Sequence, residues 1–355
     1  MTQTNNGTEQ VAAEVPDRPV EPEVLPTSSP TTASTATSSG ITGSRLRWLM
    51  AVAAGVLAVL AISQLWPGGD ESSDRGPIEV TISPVAAVEV APGQTWRPTG
   101  VGVAGETHGI AATSDGASVA GLGGTIVRLD ADGGARGAVT LGSDETTLVS
   151  DLDSDDSGTV WALDAGTGRL FRIASDDSVV EVPTGPNALI NARGIGMSAD
   201  GDAWIASTAS GQLVKIAADG AVTNSVAIPG RQASDVIEAP DGTLWIVDAE
   251  EIELVHLTIA GEVLHTVKPE GFAFTSQTSP HLAIVGSSLW VTDPEMSTMF
   301  QVDLATGEAT GERVVLSRPG DVRISKPVGI SADPAGRLWI TDSTGAATSI
   351  VDLAS

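Results

Sequence analysis

The chain has 355 residues and a formal net charge of −27 at pH 7, a balance that excludes a nucleic-acid binder because the phosphate backbone would be repelled. It has no cysteine, which excludes a disulfide framework, a zinc–thiolate site and a cysteine nucleophile. Eight Trp stand beside four Phe and no Tyr, a skew that asks for a repeated structural use of Trp.

Residues 1–44 lack hydrophobic periodicity and carry Pro16, Pro19, Pro22, Pro26 and Pro30 and a Ser/Thr-rich run from Thr27 to Ser39. Such a segment buries too little apolar surface to offset its chain entropy, and a disordered tail is expected. Residues 48–66, from Trp48 to Trp66, contain no charged side chain. At about 1.5 Å per residue they span roughly 28 Å, the thickness of a hydrocarbon core, with a Trp at each interface. Arg45 and Arg47 precede the span, whereas Arg75 after it is diluted by Asp70, Glu71 and Asp74. The spacing predicts one transmembrane helix over 45–66 in the cell membrane, with the N-terminus cytoplasmic and the remainder extracytoplasmic. Val59-Leu60-Ala61 loosely fits a signal-peptide cleavage pattern, but the 44-residue leader and the bulky residues after Ala61 favour a retained anchor. Residues 67–77, bounded by Pro67 and Pro77, read as a linker, and 78–355 as one domain.

That domain repeats itself. The segments DSGTVWALDAGTGRLFRIA (156–174), DGDAWIASTASGQLVKIAADG (200–220), DGTLWIVDAEEIELVHLTIAG (241–261), GSSLWVTDPEMSTMFQVDLATG (286–307) and AGRLWITDSTGAATSIVDLAS (335–355) each hold a tight turn, a Trp strand, a polar turn and a second apolar strand. Their Trp residues are 161, 204, 245, 290 and 339, and a weaker copy at 115–133 puts Val119 in the Trp place. Each unit reads as four strands; in the third they are 194–198, 203–207, 212–217 and 221–228. Turns such as Asp200-Gly201 supply the positive φ that tight hairpins need. Strands apolar on both faces suit sheets covered on both sides, and six such units predict an all-β, six-bladed β-propeller of four-stranded blades. The last unit stops after its third strand, so residues 78–90 are expected to fill the outer position of blade six and close the ring.

The pattern DG-x-L/V-W-x-x-D … G-x-L-x-K/R-I resembles the six-bladed propellers of the NHL-repeat and regucalcin/gluconolactonase type, and is also similar to the repeats of streptogramin (virginiamycin B) lyase. The resemblance covers about residues 105–355. It implies the fold; for function it spans lactonases, esterases, a lyase and many non-catalytic binding domains.

Function in a propeller concentrates around the central channel. Counting back from each Trp places His108, Ser150, Arg193, Ser234, Pro280–His281 and Val328 where strands enter it. His108, Arg193 and His281 are the candidate ligand-binding residues among them: imidazole is an acid or base near neutral pH, and Arg binds carboxylate or phosphate. These positions do not supply the oxygen-rich set of a hard cation, so the resemblance implies no metal lactonase and no cofactor is expected. The Asp three residues after the Trp (Asp164, Asp248, Asp293 and Asp342) is expected to cap the following turn. The acidic run Asp151-x-Asp153-x-Asp155-Asp156 reads as a solvated turn. Two long loops add candidates: Arg318, Arg323 and Lys326 as a cationic patch for an anionic group, and Phe272 and Phe274 as its apolar neighbour. The expected function is non-catalytic binding of a protein, peptide or cell-envelope ligand. The alternative is a propeller hydrolase or lyase.

Overall fold

The computed structural model describes residues 80–81, 88–91, 94–99, 101–102, 109–142, 147–185, 189, 191–208, 210–274, 280–316, 326–343 and 348–353. All of them belong to one compact unit, Asp74–Ser355. The expected tail (1–44), membrane helix (45–66) and linker (67–77) lie outside the described residues. Among those described, no helix is long and apolar enough to cross a membrane.

Six antiparallel sheets follow one another along the chain: blade one over 110–140, two over 149–182, three over 192–227, four over 233–267, five over 282–315 and six over 327–352. Blades one to five are four-stranded meanders. The protein is an all-β, six-bladed propeller.

Blade six is closed from the other end of the chain, but not by the strand expected. Gln94–Pro98 pairs antiparallel with Thr348–Asp352, with Asp352 opposite Thr95, whose hydroxyl donates to the Asp352 carboxylate at 3.2 Å. Val88–Ala91 lies one position further out as a fifth strand, and Val80–Thr81 pairs separately with Val101–Gly102. Apolar composition favoured 78–90, whereas a blade's outermost paired position selects for backbone pairing, which the polar Gln94-Thr95 segment supplies.

The repeated Trp fills the space between blades. Trp161, Trp204, Trp245, Trp290 and Trp339 are each at most 2% exposed and pack against the following blade, as Trp204 does on Val236, Leu244 and Leu257. Burial of this order stabilises the fold by about 2–3 kcal/mol per side chain. The interface between blades one and two differs. Strand pairing puts Ser118, not Val119, in the Trp place, since Ser118 faces Arg128 as Trp161 faces Arg172. Arg128, 4% exposed, donates to Ser118 Oγ at 2.7 Å and reaches blade two at Asp177 (3.1 Å) and the Ala174 carbonyl (2.9 Å). A buried guanidinium with every contact charged or polar replaces an indole there.

Candidate ligand channel

The first strands of the blades surround the axis, and their leading ends are irregular. Register shifts separate Val149 from Asp151, Ala192 from Gly194, Ala233 from Asp235 and Pro327 from Ile330. Each marks a β-bulge, an extra residue that re-aims its successor. Counting back from the Trp therefore lands on the bulged residue, Ser150, Arg193 or Ser234, and the next residue faces the axis. The true ring, matched by its partner two residues beyond each Trp place, is Gly109, Asp151, Gly194, Asp235, His281 and Gly329.

Two of the glycines are required by close approach. A Cβ on Gly109 would lie 2.6 Å from the Leu152 nitrogen, and one on Gly194 would overlap the Asp235 Cα. Blades one and three thus let the neighbouring strand slide in, and the Asp side chains of blades two and four occupy the axis.

Asp151, Asp235 and His281 form one buried cluster, each at most 4% exposed. His281 Nδ1 lies 3.3 Å from Asp151 Oδ1 and 3.7 Å from Asp235 Oδ2. Asp151 also accepts the amides of Leu152 (2.8 Å) and Ile195 (2.9 Å), and Asp235 those of Val236 (2.8 Å) and Leu282 (2.7 Å). These carboxylates satisfy amides on the otherwise unpaired inner edges of blades three and five. Burial alone would push the His281 imidazole down, but the charge and hydrogen bond of Asp151 and the charge of Asp235 outweigh it and raise its pKa to about 9. A pKa raised in this way favours the imidazolium at neutral pH. Burial drives the Asp235 carboxyl well above its usual range, against the opposing pull of His281.

The donor atoms of this trio lie within 4.8 Å of one another, a spacing compatible with a metal ion. The residues fit one poorly: each carboxylate already accepts two backbone amides, and His281 Nδ1 lies 3.3 Å from Asp151.

From the trio a cavity of about 310 Å³ runs along the axis to the hairpins that join first and second strands. Asp153, Asp155, Asp156 and Glu238 line it with Met197, Ile237, Ile284 and Ile330; no Lys or Arg does among the described residues. Burial pushes the Asp153 carboxyl up to about 7, although it accepts the Met197 amide at 2.7 Å and the Ser154 amide at 2.8 Å. The solvated-turn reading of the acidic run holds for Asp155 and Asp156 only. Asp151 and Asp153 belong to the strand Val149–Ser154 and are turned inward. The strand signal was present in Val149 and Leu152, but the density of charge hid it.

Of the sequence candidates among the described residues, His281 alone lines this cavity. His108, Arg318 and Arg323 lie outside the described residues. Arg193 is the exposed bulged residue of blade three, and Lys326 is exposed just before Pro327–Ala332. Phe272 and Phe274 are no surface patch. They are 3% and 5% exposed, with ring centroids 5.3 Å apart, in the core beneath blades four and five. Asp293 draws their loop down by accepting the Ala273 amide at 2.8 Å. The capping role expected for the Asp after the Trp is present: Asp164 accepts the amides of Leu148 and Gly166, Asp248 those of Gln232 and Glu250, and Asp293 those of Glu295 and Met296.

No family model and no curated protein matches the chain. Solved structures do. A streptogramin B lyase structure is 15% identical with a TM-score of 0.55, over 75% of this chain and all of that one. A catalytically inactive virginiamycin B lyase from Staphylococcus aureus with quinupristin is 16% identical with a TM-score of 0.52, over 79% of this chain and 98% of that one. A nidogen/laminin complex gives 16% identity and a TM-score of 0.51, over 67% and 94%. At such identities the likeness is one of fold alone.

Proposed function

We propose that the protein is a non-catalytic ligand-binding propeller, anchored by the helix over 45–66 with its first 44 residues cytoplasmic, that receives a protein, peptide or cell-envelope ligand at its axial channel. The observation that carries this reading is the state of the trio. Both carboxylates are spent on backbone amides and on His281, and His281 is already charged, so the channel floor holds neither a free base nor an activated nucleophile. A cavity remains above it, large enough for a side chain or a chain end.

Ile284 lines that cavity and is only half-buried, so an indole there would narrow it. Full-length protein in detergent should bind an envelope component that is recovered chemically unchanged, and Ile284→Trp should abolish binding while keeping a cooperative melt. Binding unaffected by the plug would sink the channel as the site. Protease added to intact cells should digest the propeller and spare the N-terminal tail; protection of the propeller would remove the extracytoplasmic placement.

One observation favours the hydrolase or lyase alternative. His281 Nδ1 is held by carboxylates, which leaves Nε2 as a proton donor facing the channel, the arrangement of an acid catalyst. Turnover of a lactone, an ester or a streptogramin B, lost in His281→Ala, would establish that reading in place of ours.

A further inference from the structure

The chemistry of the channel narrows what enters it. The cavity opens between hairpins whose turns are acidic, Asp155-Asp156 in blade two and Asp241 in blade four, while its wall carries Asp153 and Glu238. Glu238 accepts the indole N–H of Trp204 at 2.7 Å, but Asp153 meets only the backbone amides of Ser154 and Met197 and no cation among the described residues. A carboxyl so placed is costly when ionised unless a cation reaches it. Deeper in, His281 is 4% exposed with Nδ1 committed to the carboxylates. Its Nε2 has no hydrogen bond among the described residues, and the residue lines the same cavity. A donor at the floor of such a cavity can meet an acceptor oxygen of whatever enters.

Resting on the reading of the channel as a binding site, we propose that it captures the free amino terminus of a peptide, the α-ammonium held by Asp153 and a peptide carbonyl of the same end accepting from His281 Nε2. A chain end satisfies both groups at once. Its ammonium and first carbonyls lie within a few ångströms of each other, so a cation and an acceptor arrive together. An anionic tip would have to pass Asp153, Asp155, Asp156 and Glu238, with no Lys or Arg lining the way among the described residues. A lysine side chain would bring the cation but leave Nε2 without its acceptor. The apolar walls at Met197, Ile237, Ile284 and Ile330 suit small or aliphatic first residues, and the rest of the peptide leaves through the hairpin face.

The probe is a tetra-alanine peptide labelled at its C-terminus, its binding to the full-length protein in detergent followed by fluorescence anisotropy. The free amino terminus should bind at least tenfold more tightly than the N-acetylated peptide. Asp153→Asn, which keeps one of the two backbone amide contacts and is assayed below its own melting temperature, should remove that preference. His281→Gln should weaken binding further, and because acetylation is a change to the ligand, the first comparison stands even if this variant folds poorly. Equal affinity of free and acetylated peptides overturns the proposal, as does a preference undisturbed by Asp153→Asn. If an acetylated peptide carrying one internal lysine binds and the free tetra-alanine does not, the channel survives as a site and the chain-end assignment falls. If Ile284→Trp leaves every binding intact, the channel reading itself has failed.

Discussion

Between its blades the protein repeats itself, and on its axis it does not. Five interfaces carry the same buried indole, whereas the six axial positions are Gly109, Asp151, Gly194, Asp235, His281 and Gly329. The two regions answer to different demands. An interface must fill one volume, and the same Trp solves it each time. On the axis the strands crowd together, and at Gly109 and Gly194 any Cβ would collide with the neighbouring blade's strand. The chain therefore breaks its symmetry there, and three glycines make room for two carboxylates and one imidazole. A binding site made this way comes from differences between repeats rather than from the repeat.

The most severe break in this comparison is to open the ring itself. Deleting Gln94–Pro98 would remove the partner of Thr348–Asp352 and expose the edge of blade six. Loss of the cooperative melt, or aggregation, is expected. A variant that melts like the native chain would show that the ring closes by other means. Next comes Trp245→Ala, which empties the interface that also holds Leu282, Leu289 and Phe300. A loss of about 3–5 kcal/mol is expected from denaturant unfolding, and a cost below about 1 kcal/mol would mean that the indole is not what fills that space.

The axis is tested by His281→Gln, which removes the cation between two buried carboxylates. A cost of about 3 kcal/mol is expected at pH 7, where removing one partner of a buried charge set is expensive. The pH dependence is the sharper readout. The raised pKa of His281 stabilises the native state fully below the unfolded value of 6.5, and that contribution is lost as pH rises through about 9. The native melting temperature should therefore fall across this window, and the variant should lack the part of that fall due to His281, keeping only what the buried carboxyls Asp153 and Asp235 contribute. Parallel curves would show that the imidazole is neutral in the folded protein.

The fold was legible in the sequence because Trp spacing and Asp-Gly turns are local signals that recur. The site was half legible. His281 was found by counting from its Trp, since blade five has no bulge ahead of it in the strand Leu282–Val285. Asp151 and Asp235 were missed by one residue each, because the bulges at Ser150 and Ser234 leave no mark in composition. Phe272 and Phe274 misled for a different reason. Their place in a long loop suggested exposure, while the Asp293 carboxylate that folds the loop inward acts across 20 residues of sequence. Closure misled similarly: apolar content pointed to 78–90, and hydrogen bonding chose 94–98.

The finest distinction lies within the repeat. The indole N–H of Trp204 donates to Glu238 at 2.7 Å and that of Trp339 to Asp333 at 3.0 Å. Those of Trp161, Trp245 and Trp290 are buried without a partner among the described residues. Trp339 finds its acceptor in its own blade, whereas Trp204 finds it in the following blade's first strand, where the residue matching Glu238 is Met197 in blade three, Ile284 in blade five and Ala332 in blade six. Phe in place of Trp removes the N–H and a similar amount of ring area in either setting. At Trp161 it deletes a donor that was already unsatisfied, so the lost packing is partly offset. At Trp204 it also strips a partner from Glu238, leaving that carboxylate to Lys215 at 3.8 Å. Trp204→Phe should therefore cost about 1–2 kcal/mol more than Trp161→Phe when both are measured by denaturant unfolding at pH 7. If the two cost the same, the indole hydrogen bond contributes nothing net, and the Trp residues act through volume alone at every interface.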